Sequence, residues 1–65
     1  MRNEKEYARK VIRLAKYIRS AVALKRLSLQ HGLRYLDYLA IRMDNEGRPD
    51  LRERVSEIFV LCRAA

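Results

Sequence analysis

The chain has 65 residues with a single cysteine, and its 15 lysines and arginines against eight acidic residues give a net charge of +7. A chain of this length forms one domain, residues 1–65, with a small core. One cysteine excludes an internal disulfide, and Cys62 with His31 is too small a ligand set for a structural zinc. Association is the remaining way to reinforce the fold, so we expect a homodimer.

The composition, 49% hydrophobic and 35% charged, is typical of a folded chain rather than a disordered one. The sequence contains no long apolar run and no secretory signal, which argues against membrane spanning. A membrane surface is not expected as a partner either, because the apolar side of the first predicted helix is needed for the core. A lone cysteine fits a reducing compartment. We therefore expect a cytoplasmic protein.

Residues 4–26 carry the pattern of an amphipathic helix. Its apolar side repeats at steps of three and four residues: Tyr7, Val11, Leu14, Ala15, Ile18, Ala21 and Val22. Basic residues recur on the opposite side: Arg2, Lys5, Arg9, Arg13 and Lys16. Lys25 then falls on the apolar side and Leu27 on the basic side, so we expect the helix to end or kink near residues 24–27.

A second apolar pattern predicts a helix over residues 28–45. It consists of Leu29, Leu33, Leu36, Leu39, Ala40 and Met43. Ser28 is a suitable N-cap for it. Gly32 would then lie in the first turn, and Gly32→Ala should be neutral or stabilising. Alternatively, Gly32 ends a longer first helix in a left-handed cap. We favour the break at Ser28.

Residues 44–50 predict a turn, with Gly47 after a helix end and Pro49 opening the next helix. A third helix is expected over residues 50–63. Its apolar side contains Leu51, Val55, Ile58, Phe59 and Cys62. The expected fold is all-α, a small three-helix chain in an intertwined or bundle-like homodimer.

Charge is unevenly distributed, because residues 1–34 hold ten basic against two acidic residues and residues 35–65 hold five against six. Like charges four residues apart on a helix cost about 0.2–0.5 kcal/mol per pair. A solvated surface, a nucleic acid or an acidic protein surface could each accommodate the basic residues. Our leading hypothesis is a regulator, of a size common in phages and plasmids, that binds RNA or DNA. Its binding residues would be Arg2, Lys5, Arg9, Arg13, Lys16, Tyr17 and Arg19.

The alternative hypothesis is a protein-binding antagonist, an anti-activator or inhibitor that docks on an acidic or hydrophobic surface of a larger regulator. Tyr35, Tyr38 and Met43 would be its anchors.

An enzyme is not expected. His31 has no cysteine nearby and only distant carboxylates, and Cys62 lies on the apolar side of the third helix. Gly32 and Gly47 are the only glycines, so a glycine-rich phosphate loop is absent from the sequence. We therefore predict no cofactor, no metal and no small-molecule substrate.

Two segments resemble known families. Residues 15–20, together with Glu57, Ile58, Phe59 and Cys62, are similar to parts of the Rop family of plasmid copy-number proteins, which implies a dimeric RNA-binding helical hairpin with Tyr17 at its aromatic contact. Residues 27–59 are similar to the opening of a winged helix-turn-helix of the LexA or MarR type. The Gly47-Arg48-Pro49 turn interrupts the second Rop helix, and the recognition helix and wing are missing. Neither resemblance assigns a family.

Overall fold

Three α-helices make up most of residues 3–64, the part of the chain that the computed structural model describes. They are α1 (Glu4–Ala23), α2 (Leu29–Asn45) and α3 (Pro49–Ala64). The all-α, three-helix prediction is therefore confirmed. The helix bounds differ from the predicted ones by one residue at the start of α2 and at both ends of α3, and by three residues at the end of α1.

The end of α1 is a left-handed turn at Lys25, whose φ is +62°. The N–H of Lys25 donates to the carbonyl of Val22 at 3.0 Å, and the N–H of Arg26 donates to that of Ala21 at 2.9 Å. These two bonds satisfy the last carbonyls of the helix in the Schellman arrangement, which glycine usually provides. The helix therefore ends at Ala23, three residues before the predicted residue 26.

Ser28 is the N-cap of α2, as predicted. Its backbone is extended, and its hydroxyl accepts the N–H of His31 at 3.1 Å. The same hydroxyl forms a 2.7 Å hydrogen bond with Nδ1 of His31. Gly32 lies in the first turn of α2, not in a left-handed cap. The break at Ser28 is therefore confirmed.

Gly32 is needed for packing rather than for backbone freedom. A Cβ built on Gly32 would overlap Cγ2 of Val22 on α1, and it would lie 3.7 Å from Cγ2 of Ile18. Val22 is β-branched and has little freedom to turn aside. The expectation that Gly32→Ala is neutral or stabilising considered only helix propensity, and this close approach of α1 reverses it.

A second Schellman turn separates α2 from α3. Gly47 has a φ of +71°, and its N–H donates to the carbonyl of Asp44 at 3.1 Å. The N–H of Arg48 donates to the carbonyl of Met43 at 2.9 Å. Pro49 is the first residue of α3, where its missing N–H costs nothing.

The helices run up, down and up. Tyr7, near the start of α1, bonds to Glu46, which directly follows α2, so α1 and α2 are antiparallel. Ala8 and Leu51, near the starts of α1 and α3, line one groove, so α1 and α3 are parallel. Each helix contributes one stripe to the buried core: Val11, Ala15, Ile18, Leu36, Leu39, Met43, Leu51, Val55, Ile58 and Cys62.

The core leaves much apolar surface uncovered. Within residues 3–64, nine large hydrophobic side chains are at least 43% exposed. Leu14 and Leu29 are among them although both belong to the predicted apolar patterns, because each lies at the edge of its helix stripe.

Candidate nucleic-acid interface

Four basic residues of α1 form one continuous exposed surface, here called the basic face: Lys5, Arg9, Arg13 and Lys16. Their steps of four, four and three residues keep them on one side of a 20-residue helix. The side opposite them is buried at Val11, Ala15 and Ile18. Burial of that stripe is what turns the basic face outward. Arg2, the fifth predicted member, lies outside the described residues.

Among residues 3–64, no ion pair neutralises the basic face. In the described part of the chain, the inter-residue pairs join Arg42 to Glu46 at 3.2 Å, Arg48 to Asp50 at 3.2 Å and Arg54 to Glu57 at 4.0 Å. All three pairs involve residues of α2, α3 or the turn between them. Lys5, Arg9, Arg13 and Lys16 have no such partner within residues 3–64, so their mutual repulsion remains.

One edge of the basic face borders a groove between α1 and α3. Arg9, Arg13 and Lys16 line the groove on the α1 side, and Asp50 and Glu53 line it on the α3 side. The side-chain hydrogen bonds from Arg48 hold the pKa of the Asp50 carboxyl below its ordinary value. Arg54 also lines the groove on the α3 side, so the groove is a mixed surface of basic and acidic side chains.

Tyr17 and Arg19, predicted to extend the contact of the basic face, lie on different sides of α1. Residues two positions apart in an α-helix, as Tyr17 and Arg19 are, are separated by about 160° around the helix axis. Arg19 lines the α1–α3 groove with Arg54 and Glu57. Tyr17 is 66% exposed on the other side of α1, one turn beyond Arg13. The two residues therefore lie on opposite flanks of the basic face, and their contact with a nucleic acid stays a prediction.

The predicted anchors of the protein-binding alternative are also separated. Tyr35 and Tyr38 are 58% and 57% exposed, whereas Met43 is 1% exposed and belongs to the core. The side chain of Met43 faces α1 and is enclosed beside Val11 and Leu39. Met43 is thus not available as an anchor, since a helical residue on the core stripe cannot also face a partner.

A group of three residues on α2 was not predicted from the sequence. Arg34, Tyr38 and Arg42 recur at four-residue steps and are exposed on α2. The four-residue spacing is present in the sequence, but the apolar residues between these positions were interpreted only as the core side of the helix. The group places two more cations on either side of an exposed tyrosine.

A polar cluster at one end of the bundle also lacked a local sequence signal. The hydroxyl of Tyr7 donates to Oε1 of Glu46 at 2.6 Å, and Nε of Arg42 donates to Oε2 of the same carboxylate at 3.2 Å. The Tyr7 bond is the main cause of a lowered pKa at Glu46, and the same bond raises the pKa of Tyr7. The cluster joins α1 to the end of α2.

The remaining chemical groups are distributed singly. Cys62 is buried in the core, and His31 is bonded to the Ser28 cap. Among the described residues there is no set of three His, Cys, Asp or Glu side chains that could hold a metal ion. Over the same range, none of the helices has both the length and the apolar character that a membrane crossing needs.

Comparisons with protein-family models, with curated proteins and with solved structures give no match.

Proposed function

We propose that this protein is a small regulator that binds nucleic acid through the basic face of α1. The observation that supports the proposal best is the exposed row of Lys5, Arg9, Arg13 and Lys16, which has no ion-pair partner in the part of the chain that the structure describes. Lys5 and Lys16 are eleven helical steps apart, which places the ends of the row about 16 Å from each other. Cations at steps of about 6 Å along one line suit a chain of phosphates better than a single anionic group.

The proposal includes Arg2 and Arg19 as secondary contacts. Arg19 would meet the nucleic acid only from the α1–α3 side, where Glu57 is also present. Tyr17, by contrast, lies on the opposite flank of the basic face. The central phosphate contacts are therefore assigned to Arg9, Arg13 and Lys16.

The test is a comparison of two variants with the same change in charge. In the first, Arg9, Arg13 and Lys16 are changed to Gln. In the control, Arg26, Arg52 and Arg63, which are exposed elsewhere, are changed to Gln. All six positions are exposed, so the circular-dichroism spectrum should stay helical in both. Binding of labelled RNA and DNA is then measured by fluorescence anisotropy over a range of salt.

Each phosphate neutralised contributes about −0.7 to −0.9 to the slope of log affinity against log salt. The basic-face variant should therefore show a slope shallower by about 2 or more, and the control variant should keep most of the parent slope. If the parent binds neither RNA nor DNA in a salt-dependent way, or if the two variants lose affinity equally, the proposal is wrong.

We propose further that the functional form is a homodimer. The support is the exposed apolar surface near the carboxyl-terminal ends of α1 and α3, where Leu24, Val60 and Leu61 are each at least 50% exposed. Because α1 and α3 are parallel, these residues lie at the same end of the bundle. Leu61 lines the α1–α3 groove together with Lys16 and Arg19, so a second copy that covers these residues would border the Lys16 end of the basic face.

A further inference from the structure

Three of the four tyrosines are exposed on one side of the bundle. Tyr17 on α1 and Tyr35 and Tyr38 on α2 are between 57% and 66% exposed, and within the described residues none of the three hydroxyls makes a hydrogen bond. Tyr7 is different, since its hydroxyl is bonded to Glu46. Within the described residues, no hydrogen bond explains why tyrosine stands at these three exposed positions.

The rings lie along the outer edge of the contact between α1 and α2. Leu14 and Leu39 line a groove between these helices. Tyr35 precedes Leu39 by one turn, and it borders a shallow apolar depression with Tyr38, His31 and Arg34. We call Tyr17, Tyr35 and Tyr38 the tyrosine face.

The tyrosine face is continuous with the basic face. Tyr17 follows Arg13 by four residues, so the two side chains are neighbours on the surface of α1. Lys10 lies on the same flank as Tyr17, seven residues before it, and lines the α1–α2 groove. A strand bound to Arg9 and Arg13 therefore reaches the tyrosine face within one turn of helix.

The charges around the tyrosine face are mainly positive. Arg34 precedes Tyr38 by one turn and Arg42 follows it by one turn. The nearby carboxylate of Glu46 is already bonded to Tyr7 and Arg42, so Arg42 would contact a phosphate through the guanidinium N–H groups that Glu46 leaves open.

The other acidic side chains of α2 lie away from the rings. Asp37 and Asp44 follow Tyr35 by two and nine residues, which places them on the opposite flank of α2.

We propose that the nucleic acid is single-stranded and that its bases stack on Tyr35 and Tyr38 while Lys10, Arg34 and Arg42 contact its phosphates. The inference rests on the proposed function. Exposed aromatic rings stack with unpaired bases, whereas the base faces of a duplex are already covered. A polyanion is attracted to the three cations. A second copy of the chain is not, because an antiparallel pairing of two α2 helices about Tyr38 would bring Arg34 of one copy against Arg42 of the other.

The experiment compares three fluorescent probes with the full chain: a 12-nucleotide single-stranded RNA, a single-stranded DNA of the same sequence, and a duplex of the same length. The parent should bind the single strands more tightly than the duplex. The RNA and DNA probes distinguish which sugar is preferred, since only the RNA carries the 2′-hydroxyl.

The variants separate stacking from charge. Tyr35→Leu and Tyr38→Leu keep an apolar side chain but remove the ring, and each should lower single-strand affinity about 5- to 100-fold. Tyr35→Phe and Tyr38→Phe keep the ring and should bind as the parent does. The slope of log affinity against log salt should be unchanged in all four, because it reports the phosphates.

The outcomes distinguish this inference from the function on which it rests. A steep salt dependence with unchanged affinity in both Leu variants would overturn single-strand stacking and leave the basic face intact as a nucleic-acid contact. A preference of the parent for the duplex would overturn it equally. If the Leu variants bind single strands normally but change the sedimentation mass, the tyrosine face is an interface between copies, and the inference is wrong.

Discussion

Lys25 combines an ordinary side chain with a backbone conformation that glycine normally adopts. Its φ of +62° matches the +71° of Gly47 at the equivalent position of the other turn. A residue with a Cβ is strained there by about 1–2 kcal/mol. Lys25→Gly should therefore raise the free energy of unfolding by about 0.5–1 kcal/mol after the larger entropy of glycine in the unfolded chain is subtracted, as measured by chemical denaturation.

Two controls separate backbone strain from charge at this position. Lys25→Ala removes the charge but keeps the Cβ, so it should bring no comparable gain. Gly47→Ala should destabilise by about 1 kcal/mol, because a Cβ at Gly47 meets open space and only the backbone conformation opposes it. Equal stabilities of the Gly and Ala variants at residue 25 would contradict the assignment of strain.

Gly32 allows α1 and α2 to approach each other, and this can be tested by filling the space. Gly32→Ala should destabilise by about 1 kcal/mol, because overpacking typically costs about 1–3 kcal/mol and a gain in helix propensity of about 1 kcal/mol offsets part of that cost. The overlapping atom belongs to Val22. The free energy of unfolding is measured by chemical denaturation for the members of a double-mutant cycle.

Val22→Ala provides the second arm of that cycle. In the Val22→Ala background, where Cγ2 is gone, Gly32→Ala should become neutral or stabilising. The same penalty in both backgrounds would show that Val22 is not what opposes a side chain at residue 32.

At the scale of helices, Tyr7 and Glu46 join the start of α1 to the end of α2. The bond from Tyr7 lowers the pKa of Glu46, with a smaller contribution from Arg42. A carboxyl whose pKa is lower in the folded than in the unfolded chain stabilises the fold when the pH is above the pKa of the unfolded chain, about 4.3 for glutamate. This contribution disappears as the pH falls through the folded pKa of Glu46.

Tyr7→Phe removes the hydroxyl without removing the ring. The pKa of Glu46, followed by NMR titration of its side chain, should rise toward its ordinary value. The stability difference between the parent and the variant should be present at neutral pH and should vanish in acid. Tyr17→Phe is the control, since that hydroxyl has no partner in the described residues. An unchanged Glu46 titration in Tyr7→Phe would rule out the bond.

At the scale of the whole molecule, we expect association and folding to be linked. Sedimentation at micromolar concentration should give about twice the 7.7 kDa mass of the chain. Denaturation midpoints should rise with protein concentration, because dilution favours the separated chains. A stable monomer over the whole concentration range would contradict the homodimer.

The surface that we assign to the homodimer can be tested by the same measurement. Replacing Leu24, Val60 and Leu61 with Gln should shift the mass toward that of one chain. Ile41→Gln, at a position 54% exposed on α2, is the control and should leave the mass unchanged. A shift caused by Ile41→Gln alone would place the interface on α2 instead.

The sequence determined the three helices, the Ser28 cap and the turn at Gly47, because each depends on residues within about four positions of one another. It also determined that Lys5, Arg9, Arg13 and Lys16 share one side of a helix. The loss of the apolar pattern at Lys25 indicated an end near residues 24–27, but the predicted last residue, 26, is three residues beyond Ala23 because nothing in the composition marks a lysine for the left-handed conformation. The separation of Tyr17 from Arg19 follows from helix geometry and was available in the sequence.

Only the tertiary structure decided which apolar residues are covered. Met43 and Leu14 both lie in apolar patterns, yet Met43 is enclosed and Leu14 is 46% exposed. The pair Tyr7 and Glu46, 39 residues apart, and the contact of Gly32 with Val22 depend on how α1 lies against α2. Helix periodicity describes one helix at a time, whereas burial and pairing depend on the neighbour that packing provides, and no local pattern encodes that neighbour.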